Sequence, residues 1–362
     1  CGQAGCGRCI ISTPLDIFVA PPGVVSLAMG NVCMQSCCHK HAKLHTIDKL
    51  VNVLIGSSLQ LHKLTPNDMK ALEKSRKAAE KSNDGYEKMM QKIWISEDKT
   101  FDRLEGNGEP LHVLFHRPKK SERKDLPLIL WVHGGGMILG NRRDVFGLRF
   151  MTMALEKFGP FCFASLQYRV APEFKFPAAV DDFISCYRSL VNEQLAHELG
   201  FSIEKMSVAG VSAGAFVAAH GLLRLGRQMP AALLYPMVDP QMTSESHQLY
   251  GSLPACPSSF LRVSWDWLLS DADGGVRGDL IKSADLLQCD LSPFRGQQVL
   301  IVTATCDPLR DEGRQLAQKM SELGVQVTAM EGPGSHCIPH LINVTFKEQL
   351  FEAFGRLMLP QT

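Results

Sequence analysis

The chain has 362 residues, is 45% hydrophobic, and carries 38 Lys+Arg against 37 Asp+Glu, a formal net charge of +1. That is enough apolar material for one large α/β domain or two smaller ones. So even a balance gives no electrostatic basis for binding nucleic acid, and we exclude that class of partner.

Six of the 12 cysteines fall in the first 38 residues, at Cys1, Cys6, Cys9, Cys33, Cys37 and Cys38. They do not form the dense framework of a small secreted domain. With His39 and His41 they still lack the paired C-x2-C…C-x2-C spacing of a zinc site. Reduced thiols in a cytoplasmic protein are the expected reading, with association at the endoplasmic reticulum membrane as the alternative. Residues 10–34 are mostly apolar, but Pro14, Asp16 and Pro21-Pro22 interrupt them. A membrane-spanning helix wants about 20 uninterrupted apolar residues, so we expect an irregular segment packed on the fold. Membrane association is not indicated.

Thr65-Pro66-Asn67-Asp68 reads as a helix start, with Thr65 as cap, Pro66 in the first turn and an acid three residues after the cap. The helix is expected to reach Lys81, where "SNDG" breaks it, and a second piece should run to Lys92. "IWISEDKTFDRL" and "LHVLFHR" then read as a β-hairpin turning at Asn107-Gly108. Further on, short apolar strands alternate with helices. The strands are Leu128–Val132, Phe161–Leu166, Met206–Ala209, Ala231–Tyr235, Val299–Thr303 and Val325–Met330. Helices fit at Pro177–Val191, Ala213–Leu225 and Asp311–Leu323. This rhythm means a mainly parallel sheet covered on both faces, with chemistry at the carboxyl ends of its strands. Residues 241–290 interrupt it with an amphipathic helix, "SSFLRVSWDWLL", and a loop, "DADGGVRGD". That loop fails as a calcium site, because Gly275 and Lys282 stand where ligands are needed.

Four segments carry chemistry. "GVSAGA", residues 210–215, follows a strand and opens a helix, which is the strand–turn–helix setting of G-x-S-x-G. Ser212 stands in the middle as candidate nucleophile, and a serine hydroxyl needs a base and an orienting acid. Asp307, in "TATCDPLRDEG", and His336, in "EGPGSHCIPH", each follow a strand. The order Ser…Asp…His suits this architecture. Asp311 is the competing acid, but helix capping accounts for it better; His340 is the competing base and lies further from its strand. The fourth segment, "HGGGMILG", begins at His133 directly after the strand "LPLILWV". Three consecutive glycines leave backbone amides open to close approach. Gly135 and Gly136 therefore become candidate donors to the oxyanion of an ester under attack, with the Ala213 amide as the third. The segment lacks the lysine of a phosphate loop and the spacing of a dinucleotide loop. His133 is expected to shape the loop, not to catalyse.

With these pieces assembled, the chain resembles the hormone-sensitive-lipase and arylacetamide-deacetylase family of α/β-hydrolases. The matching segments are "HGGGMILG", "YRVAPEFKFPAAVDD", "GVSAGA", "YPMVD", "CDPLRDEG" and "GSHC". The resemblance implies an α/β-hydrolase fold with a mostly parallel central sheet. It implies Ser212, Asp307 and His336 as triad, and Gly135, Gly136 and Ala213 as oxyanion hole. It also implies a helical cap built from residues 1–92 and an insertion at 241–290, with the core at 93–240 and 291–362. Two motifs depart from the family pattern, with Val211 before the serine and Ala215 in place of the last glycine, and Cys337-Ile338 after the histidine; neither change removes a catalytic atom. The expected activity is a serine carboxylesterase acting on a small-molecule ester, with no metal or organic cofactor. Arylacetamide deacetylase and acylglycerol lipase are alternatives. A non-catalytic ligand receptor on the same fold is a third, but that class lacks the histidine present here as His336.

Overall fold

The structure, a computed structural model, describes residues 17–19, 25–27, 61–65, 68–103, 109–270, 278–337, 339 and 343–359. Its centre is an eight-stranded sheet. In chain order the strands are β3 (Trp94–Phe101), β4 (Leu111–Pro118), β5 (Leu126–Val132), β6 (Cys162–Leu166), β7 (Phe201–Val211), β8 (Ala231–Leu234), β9 (Gln298–Cys306) and β10 (Gln326–Ser335). They lie in the order β3-β4-β6-β5-β7-β8-β9-β10. The six from β6 to β10 pair in parallel, and β4 joins β6 and β3 antiparallel.

Strand β5 shows why the sequence folds this way. Every residue of "LPLILWV" is buried, and successive side chains point to opposite faces. Leu128, Leu130 and Val132 enter one core, which holds Phe183 and Phe216. Ile129 and Trp131 enter a second core, with Phe150, Phe351 and Phe354. Helices cover both faces. The first core is closed by α3 (Ala178–Leu190) and α5 (Ala213–Leu225); the second by α2 (Val145–Phe158) and α10 (Val344–Met358). Parallel register sets Val132 beside Gly210 and Leu234 beside Val302, so neighbouring strands end together. His133, Ser212, Tyr235, Asp307 and His336 all follow such ends.

Several expectations are corrected. Helix α1 runs unbroken from Met69 to Met90. "SNDG" contains no proline, and its single glycine costs a helix only about 1 kcal/mol relative to Ala, too little to end it. The cap is Asp68 rather than Thr65: its Oδ1 accepts the Ala71 N–H at 2.9 Å. Within residues 10–34 the chain forms a small antiparallel pair, β1 (Ile17–Val19) with β2 (Val25–Leu27), not only irregular backbone. Apart from Ser26 these triplets are apolar, and Ile17, Val19 and Val25 are β-branched, which favours strands. The Asn107-Gly108 turn, the cysteines among residues 1–38, His39, His41 and His340 lie outside the described residues.

The interruption at 241–290 contains α6 (Glu245–Tyr250), α7 (Ser258–Leu269) and α8 (Gly278–Ala284). The α7 boundaries match the expected amphipathic segment. Helix α4 (Glu193–Leu199) leads into β7, and α9 (Arg310–Glu322) joins β9 to β10. Among the described residues, no helix is long and apolar enough to cross a membrane. No group of three His, Cys, Asp or Glu side chains there is placed to hold a metal.

Candidate active site

The loop between β7 and α5 holds Ser212 at φ 56° and ψ −119°. A non-glycine residue rarely adopts positive φ, and such strain persists only where the surroundings over-determine it. Two glycines make the turn feasible. A Cβ on Gly210 would lie 2.4 Å from the Gly214 carbonyl oxygen, and one on Gly214 would lie 2.1 Å from the Val132 carbonyl oxygen. Both clashes are with backbone, so neither can be relieved by a side-chain rotation. The Ser212 N–H donates to the Leu234 carbonyl at 2.8 Å and fixes the turn against β8. We therefore expect Gly214→Ala to destabilise the fold by about 3 kcal/mol, measured by denaturant unfolding. An unchanged midpoint would mean that β5 and α5 do not pack this closely.

His336 follows β10, and its Nε2 stands 3.1 Å from Ser212 Oγ. Its Nδ1 lies 2.7 Å from Asp307 Oδ2. A carboxylate can only accept, so Nδ1 carries the proton and Nε2 is left to accept from the serine hydroxyl. Asp307 is anchored in turn, since Oδ1 accepts the Leu309 N–H at 2.9 Å. Burial alone would push the His336 imidazole down, yet the facing Asp307 carboxylate raises it well above its ordinary value. Burial holds nearby thiols neutral: it pushes Cys256 up to about 12 and raises Cys337 as well. Asp307 is therefore the charge that acts on the ring. Tyr235, at the end of β8, sets its ring edge-on to the imidazole at 5.9 Å.

The glycine loop comes alongside. A Cβ on Gly134 would sit 3.4 Å from Ser212 Cβ, which places the HGGG backbone against the serine turn. Gly135 and Gly136 take φ of 119° and 62°. A Cβ on Gly136 would lie 2.5 Å from Phe260 Cζ and 2.6 Å from Ser264 Oγ, so α7 closes over this glycine. Among the described residues, neither the Gly135 nor the Gly136 amide finds a protein acceptor. Ala213 opens α5, where the first amides have no intrahelical partner and the helix presents its positive end. His133 is buried, its ring stacked on Tyr168 at 4.1 Å, with Nδ1 2.8 Å from the Gly134 carbonyl. Those contacts shape the loop.

All six candidate residues thus come to the carboxyl-end side of the sheet. Asp311 does not compete for His336. Its carboxylate accepts the Ser246 N–H at 3.0 Å and pairs with Arg310 at 2.7 Å. Sequence reasoning missed the supports. Glu312 binds His247 Nε2 at 2.9 Å and the Val238 N–H at 2.7 Å, tying α9 to the 241–290 segment. Burial pushes its carboxyl up to about 7. Arg76 of α1 also went unremarked, because a lysine- and arginine-rich helix reads as a solvated surface.

Fold and geometry together define a class: an α/β protein with a serine, an imidazole and a carboxylate in one hydrogen-bonded line at its strand ends. The family model described as alpha/beta hydrolase fold matches residues 129–339, and the chain belongs to that family. It is 28% identical over 241 residues to an ethyl acetate hydrolase of Pseudomonas putida, covering 63% of this chain and 71% of that protein. To an arylesterase of Saccharolobus solfataricus it is 30% identical over 249 residues, covering 64% and 73%. The solved hyperthermophilic esterase of Pyrobaculum calidifontis superposes with a TM-score of 0.68 at 26% identity, over 87% of this chain and 98% of that one. These similarities place the chain among the carboxylic ester hydrolases of this fold.

Proposed function

We propose that the chain is a serine carboxylesterase working through an acyl-enzyme. The observation that carries this reading is the unbroken line from Ser212 Oγ to His336 Nε2 and from Nδ1 to Asp307 Oδ2, at 3.1 and 2.7 Å. His336 takes the hydroxyl proton as Ser212 Oγ attacks the ester carbonyl. The carbonyl oxygen gathers charge and is met by the amides of Gly135, Gly136 and Ala213. His336 then gives its proton to the alcohol oxygen as the C–O bond breaks. Water, deprotonated by the same ring, attacks the acyl-serine and frees the acid. Asp307 fixes the tautomer throughout and balances the imidazolium. This scheme calls for no cofactor, and the partner is a small-molecule ester. Residues 241–290 together with α1 act as the cap over the site; the contact of Phe260 with Gly136 supports that role. The described cysteines, Cys162, Cys186, Cys256, Cys289, Cys306 and Cys337, are free thiols, which supports a reducing, cytoplasmic setting.

The reading is tested with p-nitrophenyl esters of rising acyl length, an arylacetamide and a monoacylglycerol. The expected outcome is ester turnover that exceeds amide turnover. Selective hydrolysis of the arylacetamide or of emulsified acylglycerol would replace the substrate class while leaving the chemistry. Tight ester binding without turnover would establish a receptor instead.

A further inference from the structure

Arg76 sits on α1, more than a hundred residues before the serine, yet its guanidinium reaches the glycine loop. Its Nε donates to the Ile138 carbonyl at 2.9 Å and Nη2 to the Ala171 carbonyl at 2.8 Å. The same fork meets both oxygens of Glu173, at 2.7 and 2.9 Å. Ile138 belongs to the turn that follows HGGG. There the Ile138 and Leu139 amides both donate to the Gly135 carbonyl, at 3.2 and 2.8 Å. The Met137 carbonyl is taken by the Ala171 N–H at 2.8 Å. Arg76 therefore ties the turn of 135–139 to the segment at 171–173, and both to α1.

That turn needs holding. Gly135, Gly136 and Met137 have successive φ values of 119°, 62° and 65°. Three left-handed residues in a row, one bearing a side chain, are unfavourable unless neighbouring groups over-determine them. The segment that Arg76 grips is fixed on its other side as well: Lys175 Nζ donates to the Trp267 carbonyl and to Ser270 Oγ, both at 2.8 Å, at the end of α7. A planar guanidinium suits this position because it reaches two carbonyls and a carboxylate at once. An ammonium cannot reproduce the fork.

We propose that Arg76 is a positioning residue for ester hydrolysis: it holds the 135–139 turn so that the Gly135 and Gly136 amides face the oxyanion. The inference rests on the serine-esterase reading above. It makes α1 part of the apparatus that sets the rate, not only part of a cover.

The test compares wild type, Arg76→Met, Arg76→Lys and Ser212→Ala. The concentration of active serine is titrated with a fluorophosphonate, so that kcat is expressed per competent site. An aryl trifluoromethyl ketone, which adds Ser212 Oγ to its carbonyl and leaves an oxyanion, reports on the amides directly. Displacing catalytic groups by about 1 Å can cost on the order of 100-fold, so Arg76→Met should lower kcat per site by about 10- to 100-fold. Its KM should stay within roughly threefold, and ketone affinity should fall by the same factor as kcat/KM. Arg76→Lys still pairs with Glu173 and is expected to fold; it should keep most of the kcat loss, and it decides the test if Arg76→Met is insoluble. A merely structural tether would lower the unfolding temperature and the titrated fraction while kcat per site and ketone affinity stayed at wild-type values. That result overturns the proposal. Activity retained by Ser212→Ala would instead overturn the serine-esterase reading itself, so the two failures are separable.

Discussion

Ser212→Ala should lower kcat on p-nitrophenyl acetate by roughly 10⁶-fold, the scale on which removal of a serine nucleophile acts, with the fold intact. The substitution deletes one oxygen and keeps the Cβ that the φ 56° turn already accommodates. The hydrogen bond lost is the one to His336 Nε2, at 3.1 Å. Ser212 and His336 are both buried, but the imidazole keeps its Nδ1 bond to Asp307 at 2.7 Å and so stays anchored. The unfolding midpoint should therefore stay near that of wild type while turnover disappears. Loss of both together would make Ser212 a structural residue of the turn. Retained turnover would locate the nucleophile elsewhere.

Asp307→Asn should cost about 10⁴-fold in kcat, as removal of the orienting charge does elsewhere. The geometry explains why a near-isosteric change is so damaging. The carboxamide that replaces the carboxylate would keep the Leu309 N–H on its carbonyl oxygen, as Oδ1 of Asp307 does now at 2.9 Å. Its NH2 group would then face Nδ1. The ring would accept there and carry its proton on Nε2, the nitrogen that must take the proton from Ser212. The pH profile should move too. Only the neutral ring can act as base, and the Asp307 carboxylate raises its pKa above the ordinary 6.5 against the downward pull of burial. The acidic limb of kcat/KM in the wild type should accordingly lie above about 6.5. With the carboxylate gone, burial dominates and the limb should shift to lower pH. The sign for stability is opposite. A raised folded-state pKa favours folding most fully below the unfolded value and loses that contribution as pH rises through the folded one. Activity is thus expected to increase across the range in which this ion pair's stabilisation declines. A limb that stays put in Asp307→Asn would mean that Asp307 is not the charge the imidazole senses.

The chemistry was legible in the sequence because it depends on local geometry. Gly210 is dictated by a backbone clash with Gly214 inside one strand–turn–helix unit, and Gly214 by the close approach of α5 to the end of β5, so their spacing around Ser212 marks the turn in the sequence itself. The buried strands were legible for a similar reason. A run such as "LPLILWV" has no solvent face, which only an interior strand tolerates. Strand ends were less so: β7 begins at Phe201 and not at Met206, because pairing of Phe201 with Leu126 extends it through a polar stretch that carries no strand pattern. Helix α1 was divided wrongly at "SNDG" because a turn-forming composition was weighed without the helix on either side. The clamp by Arg76 and the bond between His247 and Glu312 left no trace, since each joins residues more than sixty positions apart. Such contacts exist only after folding, and no spacing rule encodes them.

Hydrolysis depends on one serine being reactive because two distant segments are folded against it. Treating the native protein with a diethyl fluorophosphonate and mapping the adduct by peptide mass spectrometry tests that directly. A single phosphoryl group on Ser212, forming as esterase activity is lost and failing to form in His336→Ala, is the expected result. An adduct on another residue, or full activity with Ser212 modified, would contradict it.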